Sequence, residues 1–204
     1  MNWKEVNHEL GNIDLYWLDF ILKGYLKEGT KILDAGCGEG RNIHYCLKNQ
    51  MDVFGIDQNP EALHFLRLIA NIHKLDNVEA RFQQMRLDKL LFPDQTFDTI
   101  ICNAVLHFAS DTNHFTKMIE EMSRVLKSKG ALFIRTMTDL YFSDSTLKLK
   151  ENIVDLGQKN LRYVINSDQF IDQMNRIGFS LIEPYKEVLV QGKHSMGTFM
   201  LYKE

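Results

Sequence analysis

The sequence predicts an α/β fold in which a mostly parallel sheet carries helices on both faces. Short apolar runs alternate with longer amphipathic stretches along most of the chain, a pattern typical of strand–helix–strand units. Right-handed crossovers in such units make neighbouring strands parallel. The last two apolar stretches are separated only by Gln191-Gly192-Lys193-His194. Because a parallel return needs a longer crossover, we expect an antiparallel strand at the C-terminal end.

Two strand–helix units are predicted in the first third of the chain. Lys31–Ala35 is a short apolar run and is followed by glycines and a helix over residues 41–48. Residues 51–57 form the second predicted strand. The next helix begins at Asn59-Pro60-Glu61, with proline in the first helical position and a carboxylate in the first turn, and runs towards His73.

Three more strands are expected between residues 78 and 136. Residues 78–82 form a weaker third strand, and Phe97–Asn103 form a fourth that is rich in β-branched and apolar side chains. An apolar stripe at helical spacing covers residues 111–126, and Gly130 is expected to end that helix. Residues 131–136 form the fifth predicted strand.

The two ends of the chain are predicted to add helices and a hairpin. Residues 7–26 read as an amphipathic helix that packs on the sheet or covers the site. Ser167-Asp168 is expected to cap a helix that Gly178 ends, before strands over residues 179–190 and 196–202.

The composition is that of a globular protein with a single domain. The chain has 204 residues, 45% of them hydrophobic and 25% charged, which excludes wholesale disorder and fibrous repeats. A net charge of −3 argues against a broad nucleic-acid-binding surface. We divide the domain into an N-terminal helical cap (1–29), a core (30–138) and a C-terminal helix and hairpin (139–204).

Cysteine spacing and the absence of a leader bear on metal binding and location. Cys37, Cys46 and Cys102 are too scattered to form a metal-binding pair, so no metal is expected. The N-terminal residues have no charged and then apolar leader, and no apolar run approaches the roughly 18 residues of a membrane span. We therefore expect a cytoplasmic protein without a membrane partner, either a monomer or a homodimer.

A glycine-rich loop after the first strand is the strongest functional signal. Gly36, Gly38 and Gly40 alternate directly before the next predicted helix, which allows a tight turn and close approach of the backbone to a ligand. A dinucleotide fingerprint would place its third glycine one residue later, and the Walker spacing is absent. A turn without a ligand is the plainer alternative, and three alternating glycines make it the less favoured one.

Two carboxylates decide which ligand suits this loop. Asp57 ends the second strand roughly 20 residues beyond the loop, the offset of a residue that accepts hydrogen bonds from ribose hydroxyls. Asp34, directly before the loop, would repel a pyrophosphate but attract an ammonium group. The predicted ligand therefore carries a ribose and a positive charge, as S-adenosylmethionine does.

At this level the sequence resembles the class I S-adenosylmethionine-dependent methyltransferases. Residues 32–40 resemble the first motif of that family, residues 53–57 the second, residues 92–107 the fourth-strand motif and residues 126–132 the turn into the fifth strand. The resemblance covers residues 30–138 and implies a Rossmann-like doubly wound sheet of order 3-2-1-4-5-7-6. The run Gly38-Glu39-Gly40-Arg41-Asn42 and the terminal hairpin further resemble small methyltransferases of the tellurite-resistance type.

The resemblance implies a cofactor site for S-adenosylmethionine, whose product is S-adenosylhomocysteine. After the third strand this sequence departs from the family pattern, because Met85-Arg86-Leu87 stands where the family often has Gly-Asp-Ala. Arginine cannot accept the adenine amino hydrogen bond, so Gln84, or Asp88 in another register, is the candidate acceptor. The expected cofactor-binding residues are Asp34, Gly36, Cys37, Gly38, Gly40, Arg41, Asp57, Gln58, Gln84, Met85, Arg86, Asn103 and Ala104.

Candidates for the acceptor side are fewer. His107 follows the fourth strand and would act as a base or orient the acceptor, or simply pack at a helix start. Tyr16 and Trp17 would help to enclose cofactor and acceptor, or only pack on the sheet. The expected acceptor is a small molecule, because little chain lies outside the cofactor core.

Two other functions stay open on the sequence. One is a nicotinamide-dependent oxidoreductase on the same kind of sheet, disfavoured by the early third glycine and by Asp34. The other is a non-catalytic module that binds S-adenosylmethionine without consuming it.

Overall fold

The structure is a computed structural model that describes residues 2–140, 148–150 and 152–204. Its helices are Trp3–Leu10 (α1), Leu15–Leu22 (α2), His44–Lys48 (α3), Pro60–Ile72 (α4), Val78–Arg81 (α5), Thr112–Val125 (α6) and Ser167–Arg176 (α7), with a 3₁₀ turn at Leu106–Phe108. Its strands are Lys31–Ala35 (β1), Asp52–Asp57 (β2), Phe82–Gln84 (β3), Phe97–Asn103 (β4), Leu126–Thr138 (β5), Lys148–Lys150 (β6), Ile153–Asp155 (β7), Leu161–Tyr163 (β8), Phe179–Leu181 (β9), Lys186–Val190 (β10) and His194–Lys203 (β11).

The main sheet has the strand order β10-β11-β5-β4-β1-β2-β3, and β9 also pairs with β11. Strands β1 to β5 pair in parallel, whereas β11 is antiparallel to β5, β9 and β10. The predicted order 3-2-1-4-5-7-6 and the antiparallel C-terminal strand are thereby confirmed. The predicted strand over residues 179–190 is divided into β9 and β10, which pair with the two ends of β11.

Apolar side chains cover both faces of this sheet. On one face Trp17 and Phe20 of α2 pack with residues of α3 and α4 against Ile101 and Phe133. On the other face α6 and α7 bury a second cluster that includes Phe115 and Phe170. Helix α4 begins as predicted, because the Asn59 side chain accepts hydrogen bonds from the first-turn amides and Pro60 follows it.

A second, three-stranded sheet of β6, β7 and β8 lies between β5 and α7 in the chain and was not predicted. Thr138 at the end of β5 forms a bridge to Ile165, which joins this small sheet to the carboxyl edge of the main one. Among the described residues, every helix is too short or too polar to span a bilayer.

Three predicted elements are wrong in detail. Residues 78–81 form the short helix α5 instead of a strand, and the chain joins the sheet only at Phe82, which pairs with Gly55. Residues 7–26 contain the end of α1 and a separate α2, because the chain turns at Gly11 with a positive φ of 62°. The cap of α7 is Asn166, one residue before the predicted Ser167.

Gly130 does not end α6. That helix ends at Val125, and Gly130 lies inside β5 next to Lys129, which has a φ of 64°. A Cβ atom at Gly130 would lie 2.7 Å from Leu126 Cδ1 and 2.8 Å from the Lys127 carbonyl oxygen. Glycine is therefore required here by the irregularity of the strand.

Candidate functional site

The glycine loop lies at the carboxyl edge of the sheet, between β1 and α3. Gly36, Gly38 and Gly40 all have positive φ values, 89°, 51° and 84°. A Cβ atom would meet Val105 at 2.3 Å if placed on Gly36 and Leu66 at 2.5 Å if placed on Gly40, whereas at Gly38 it would meet no atom within 4 Å. Gly36 and Gly40 thus allow the loop to pack, and Gly38 leaves open space beside the backbone.

The backbone amides of this loop are used within the protein. The N–H groups of Gly36 and Cys37 both donate to the Ile56 carbonyl, at 2.8 and 2.9 Å. The Gly38 N–H donates to Asp57 Oδ2 at 2.8 Å, and Asp57 Oδ1 accepts from the Asn59 N–H at 2.9 Å. The loop is therefore tied to the end of β2 and offers none of these amides to an anion.

A cavity of about 190 Å³ opens beside this loop, between the ends of β2 and β4. Asp57 and Gln58 provide its polar wall, and apolar side chains close the opposite side. Ala104, with a φ of 62°, lies on its rim directly after β4. The full lining is Gly36, Ile56, Asp57, Gln58, Met85, Leu87, Ala104, Val105, Phe108, His114 and Met118.

Asp34 is a buried carboxyl group at the end of β1. Its side chain is 1% exposed, and Oδ2 has no hydrogen-bond partner among the described residues. Burial raises the pKa of Asp34 from the ordinary 3.8 to about 7, an effect that Arg41 opposes and Asp57 reinforces. A cationic ligand group would supply the missing partner and favour the ionised form.

A row of polar residues continues this edge across three strands. Asn103 of β4, Arg135 of β5 and Thr198 of β11 are neighbours in register. In the described part of the chain, neither amide atom of Asn103 has a partner, nor does Arg135 Nε or Thr198 Oγ1. Since buried polar groups in proteins are nearly always hydrogen-bonded, this row calls for a polar ligand or water.

The N-terminus of α2 lies over Arg135. Arg135 Nη1 is 3.5 Å from Asp14 Oδ2, and its guanidinium lies 5.2 Å from the ring centre of Tyr16. This end of α2 is tied to the glycine loop, because the Asp14 N–H donates to Asn42 Oδ1 and Trp17 Nε1 donates to the Asn42 carbonyl. The loop and the arginine are therefore parts of one arrangement.

His107 lies in the 3₁₀ turn after β4 and is 8% exposed. Its Nδ1 has no partner within the described residues, and its ring is 4.5 Å from that of Phe108. Burial, and then the neighbouring Arg162 and His194, lower the pKa of His107 to about 4. The imidazole is therefore neutral at physiological pH.

The sequence matches a known protein family. A sequence model described as "Methyltransferase domain" matches residues 26–178, which is most of the chain. The chain belongs to this family. It is a member of the class I S-adenosylmethionine-dependent methyltransferases, and S-adenosylmethionine is their cofactor.

Individual methyltransferases are similar to the chain over parts of their length. An uncharacterized methyltransferase of Bacillus subtilis, YcgJ, is 32% identical over 51% of this chain and 39% of its own length. A sterol 24-C-methyltransferase of Aspergillus fumigatus is 28% identical over 77% of this chain and 41% of its own. The chain thus spans less than half the length of either relative.

A solved structure shows the same fold. The S-adenosylmethionine-dependent methyltransferase of Methanosarcina mazei superimposes with a TM-score of 0.71 at 21% identity, over 90% of this chain and 96% of that one. The α/β fold of the chain is therefore shared with a solved methyltransferase.

The residues at the carboxyl edge fit the cofactor of the methyltransferase family. Asp34 presents a buried carboxylate oxygen without a partner, which suits the ammonium group of the methionine part. Gly38 leaves open space where a ligand can approach the backbone. The cavity beside Asp57 offers a polar wall to a ribose and apolar side chains to an adenine ring.

The structure brings most of the predicted cofactor residues to this edge. Gly36, Asp57, Gln58, Met85 and Ala104 line the cavity, and Asp34 and Asn103 lie beside it with unpartnered polar atoms. Gln84 is exposed outside the lining and donates from Nε2 to the Gln58 carbonyl at 3.0 Å. Arg41 is also exposed, and its Nη1 donates to the Asn12 carbonyl at 3.3 Å.

The predicted contact of Trp17 is corrected, whereas those of Arg86 and Cys37 stay predictions. Trp17 is completely buried in the core, stacked on Phe20 at 5.0 Å, so it cannot line a substrate site. Arg86 is exposed and forms two hydrogen bonds of 2.9 Å with Asp88, whose carboxylate lies 3.8 Å from His114 in the cavity lining. Cys37 is buried below Gly55, where a Cβ atom would lie 2.9 Å from its sulfur, and its N–H is already used.

Several site residues were missed from the sequence. Arg135 and Thr198 complete the polar row, and His114, Leu87 and Phe108 line the cavity. For Arg135 a signal existed, because it is a charged residue in the middle of the apolar run Leu132-Phe133-Ile134 and Thr136-Met137. Leu87 and Thr198 carry no comparable signal.

In the unliganded state, the Asp34→Asn variant is expected to be more stable than the wild type, by an amount that increases as pH rises. Unfolded Asp34 ionises near 3.8 and folded Asp34 near 7, so the wild type loses stability as pH increases through this interval. A shift of this size corresponds to about 4 kcal/mol at most. The difference in melting temperature between Asp34→Asn and wild type should therefore grow from about pH 4 to about pH 7 and change little above that.

Asp52→Asn is the matched control for this experiment. Asp52 begins β2 at the other edge of the sheet, exposed and paired with Arg81 at 2.5 Å. Its replacement measures the effect of an Asp→Asn exchange at an exposed carboxylate, without burial. An Asp34→Asn curve parallel to that of the wild type would contradict the raised pKa.

Proposed function

We propose that this protein transfers the methyl group of S-adenosylmethionine to a small-molecule acceptor at the carboxyl edge of the sheet. One observation carries the proposal. Apart from Ser167 Oγ, every buried side-chain nitrogen or oxygen without a partner in the described residues belongs to Asp34, Asn103, His107, Arg135 or Thr198, at or next to this edge. Such a concentration of unpaired polar atoms next to a glycine loop indicates a polar ligand.

The geometry disfavours the nicotinamide-dependent alternative. A dinucleotide places its pyrophosphate on free amides after the first strand. Here the N–H groups of Gly36, Cys37 and Gly38 donate to Ile56 and Asp57, and the Asp34 carboxyl lies next to them. A pyrophosphate at this position would find these N–H donors already used and would lie next to a negatively charged carboxylate.

In the proposed complex, each polar group of the cofactor contacts a side chain of complementary charge or hydrogen-bonding capacity. Asp34 holds the ammonium group, Arg135 the carboxylate and Asp57 the ribose hydroxyls. Asp14, at 3.5 Å, is the only carboxylate that pairs with Arg135 in the described residues, so the guanidinium retains donors for a second anion. When bound, S-adenosylmethionine supplies a methyl group already activated by its sulfonium.

The protein's remaining task is to position the acceptor and exclude water. In-line attack on an activated methyl group gains most from orientation in a dry site. His107 is buried and neutral, with a pKa of about 4 that makes it a weak base at neutral pH. We therefore assign His107 the role of a hydrogen-bonding partner that orients the acceptor, with Tyr16 at the opposite side.

A small acceptor agrees with the relatives and with the site. Similar proteins include a sterol 24-C-methyltransferase and a ubiquinone biosynthesis O-methyltransferase, both of which are named for small molecules. The polar row and His107 are buried under α2 and beside the small sheet, where a macromolecular substrate would have little access.

A thermal-shift comparison tests the proposed cofactor. S-adenosylhomocysteine should raise the melting temperature in a concentration-dependent way, because only the folded protein binds it, and NADH should not. A screen of small thiols, amines, phenols, carboxylates and chalcogen oxyanions should then release S-adenosylhomocysteine with at least one acceptor. Stabilisation by NADH alone would contradict the proposal, and binding without turnover would favour the non-catalytic module.

A further inference from the structure

A second cavity lies at the amino edge of the sheet, away from the glycine loop. Its volume is about 760 Å³, within the roughly 300–1,000 Å³ of small-molecule sites. None of its lining residues belongs to the carboxyl-edge cavity. We refer to it as the amino-edge cavity, and its central residues are Thr99, Ala131, Ser180, Leu181, Ile182 and Tyr202.

The cavity exists because α2 is too short to cover this face of the sheet. Trp17 and Phe20 of α2 cover Phe133, with ring centres 5.4 and 6.2 Å from it. Two residues earlier in β5, Ala131 lies in a row with Thr99, Tyr202 and Ser180 across four strands. Helix α2 ends at Leu22, and residues 25–30 pass beside this row on the way to β1.

Small side chains make the floor concave. Thr99, Ala131 and Ser180 leave room that larger residues would fill, and Ile182 forms an apolar wall. Tyr25 packs edge-on against Phe20 at 5.3 Å, which fixes the opposite wall. A flat apolar group could therefore rest on the sheet between these walls.

The charges around the cavity favour an anion. The carboxylate of Asp98 is fully engaged, because one oxygen pairs with Lys127 Nζ at 2.8 Å and the other accepts from the Lys31 N–H at 3.0 Å. Lys27 and Lys129 line the cavity, and neither forms an ion pair in the described residues. Glu28 is the one unpaired carboxylate in the lining, so the uncommitted groups carry a positive balance.

Lys129 has an unusual backbone conformation at the cavity rim. It has a φ of 64°, a left-handed conformation that costs a residue with a Cβ roughly 1 kcal/mol. Gly130 beside it leaves no room for a side chain, so the irregularity of β5 projects Lys129 at the cavity rim.

We propose that the amino-edge cavity is a second binding site, separate from the methyl-transfer site, for a small molecule with a flat apolar body and one anionic group. The apolar body lies on the row of Thr99 and Ala131, and the anionic group lies between Lys27 and Lys129. This assignment concerns binding only and does not depend on the proposed enzymatic function.

A pair of probes that differ only in charge tests the site. 2-Naphthoate carries a carboxylate on a flat ring system, and 2-naphthamide is its neutral counterpart. In ¹H–¹⁵N spectra of the full chain, 2-naphthoate should shift the amide signals of Thr99, Ala131, Leu181 and Tyr202 saturably. We expect 2-naphthamide to bind about fivefold more weakly, the effect of two solvent-exposed ion pairs.

Paired lysine variants supply the control. The double variant Lys27→Gln/Lys129→Gln should weaken 2-naphthoate about fivefold and leave 2-naphthamide unchanged. Lys117→Gln/Lys159→Gln removes the same charge from two exposed residues outside the cavity and should change neither. Signals that do not shift up to the solubility limit, shifts elsewhere, or equal binding of both probes would overturn the site.

Discussion

Asp57→Ala is expected to weaken binding of S-adenosylhomocysteine about tenfold to a hundredfold, because a charge-assisted pair of hydrogen bonds contributes roughly 1.5–3 kcal/mol. The carboxylate has a second role, since Oδ2 accepts from the Gly38 N–H and Oδ1 from the Asn59 N–H. Its loss therefore removes the proposed ribose contact and also releases the glycine loop. Isothermal titration calorimetry measures the change directly.

The proposed contact between Asp57 and the ribose predicts which ligands bind Asp57→Ala more weakly. 5′-Methylthioadenosine has the same ribose without the amino-acid group, so Asp57→Ala should weaken both ligands. Asp52→Ala is the matched control at the opposite end of β2, and it should weaken neither, because Asp52 pairs with Arg81 at the surface. Unchanged affinity in Asp57→Ala would remove Asp57 from the proposed site.

Arg135→Gln is expected to weaken S-adenosylhomocysteine about tenfold or more while leaving 5′-methylthioadenosine unchanged, because a hydrogen-bonded ion pair contributes roughly 1.5–3 kcal/mol. Only the first ligand carries the carboxylate that Arg135 is proposed to hold. The Arg135 side chain is 16% exposed, so this pair is screened less than a surface one. Calorimetry with the two ligands separates loss of the carboxylate contact from general damage to the site.

Arg162→Gln is the control for this variant. Arg162 lies 4.6 Å from the Phe108 ring centre, next to His107 rather than in the row of Asn103 and Thr198. Its replacement should leave both affinities unchanged. If Arg135→Gln weakened both ligands equally, Arg135 would be a structural residue. If Arg135→Gln weakened neither ligand, Arg135 would bind an anionic group of the methyl acceptor instead of the cofactor carboxylate.

Local pattern was sufficient for much of the fold. β1 and β4 have the bounds that were expected, and α4 begins at its predicted cap, because the signals lie within the segments themselves. Residues 78–82 were misread because β-branched and apolar residues are present in a segment that forms one helical turn before it reaches β2. Gly130 was misread because a glycine can end a helix or relieve an irregular strand, and only pairing with β4 distinguishes these roles.

The sequence by itself determined the family from four motifs in order between residues 32 and 132. It also located the glycine loop and the acids Asp34 and Asp57, because each of these lies in one short segment with its own spacing. Only the tertiary structure decided that Asn103, Arg135 and Thr198 form one row and that Trp17 belongs to the core. Residues on different strands become neighbours through register and through the packing of α2. These depend on contacts between distant parts of the chain, which no local pattern contains.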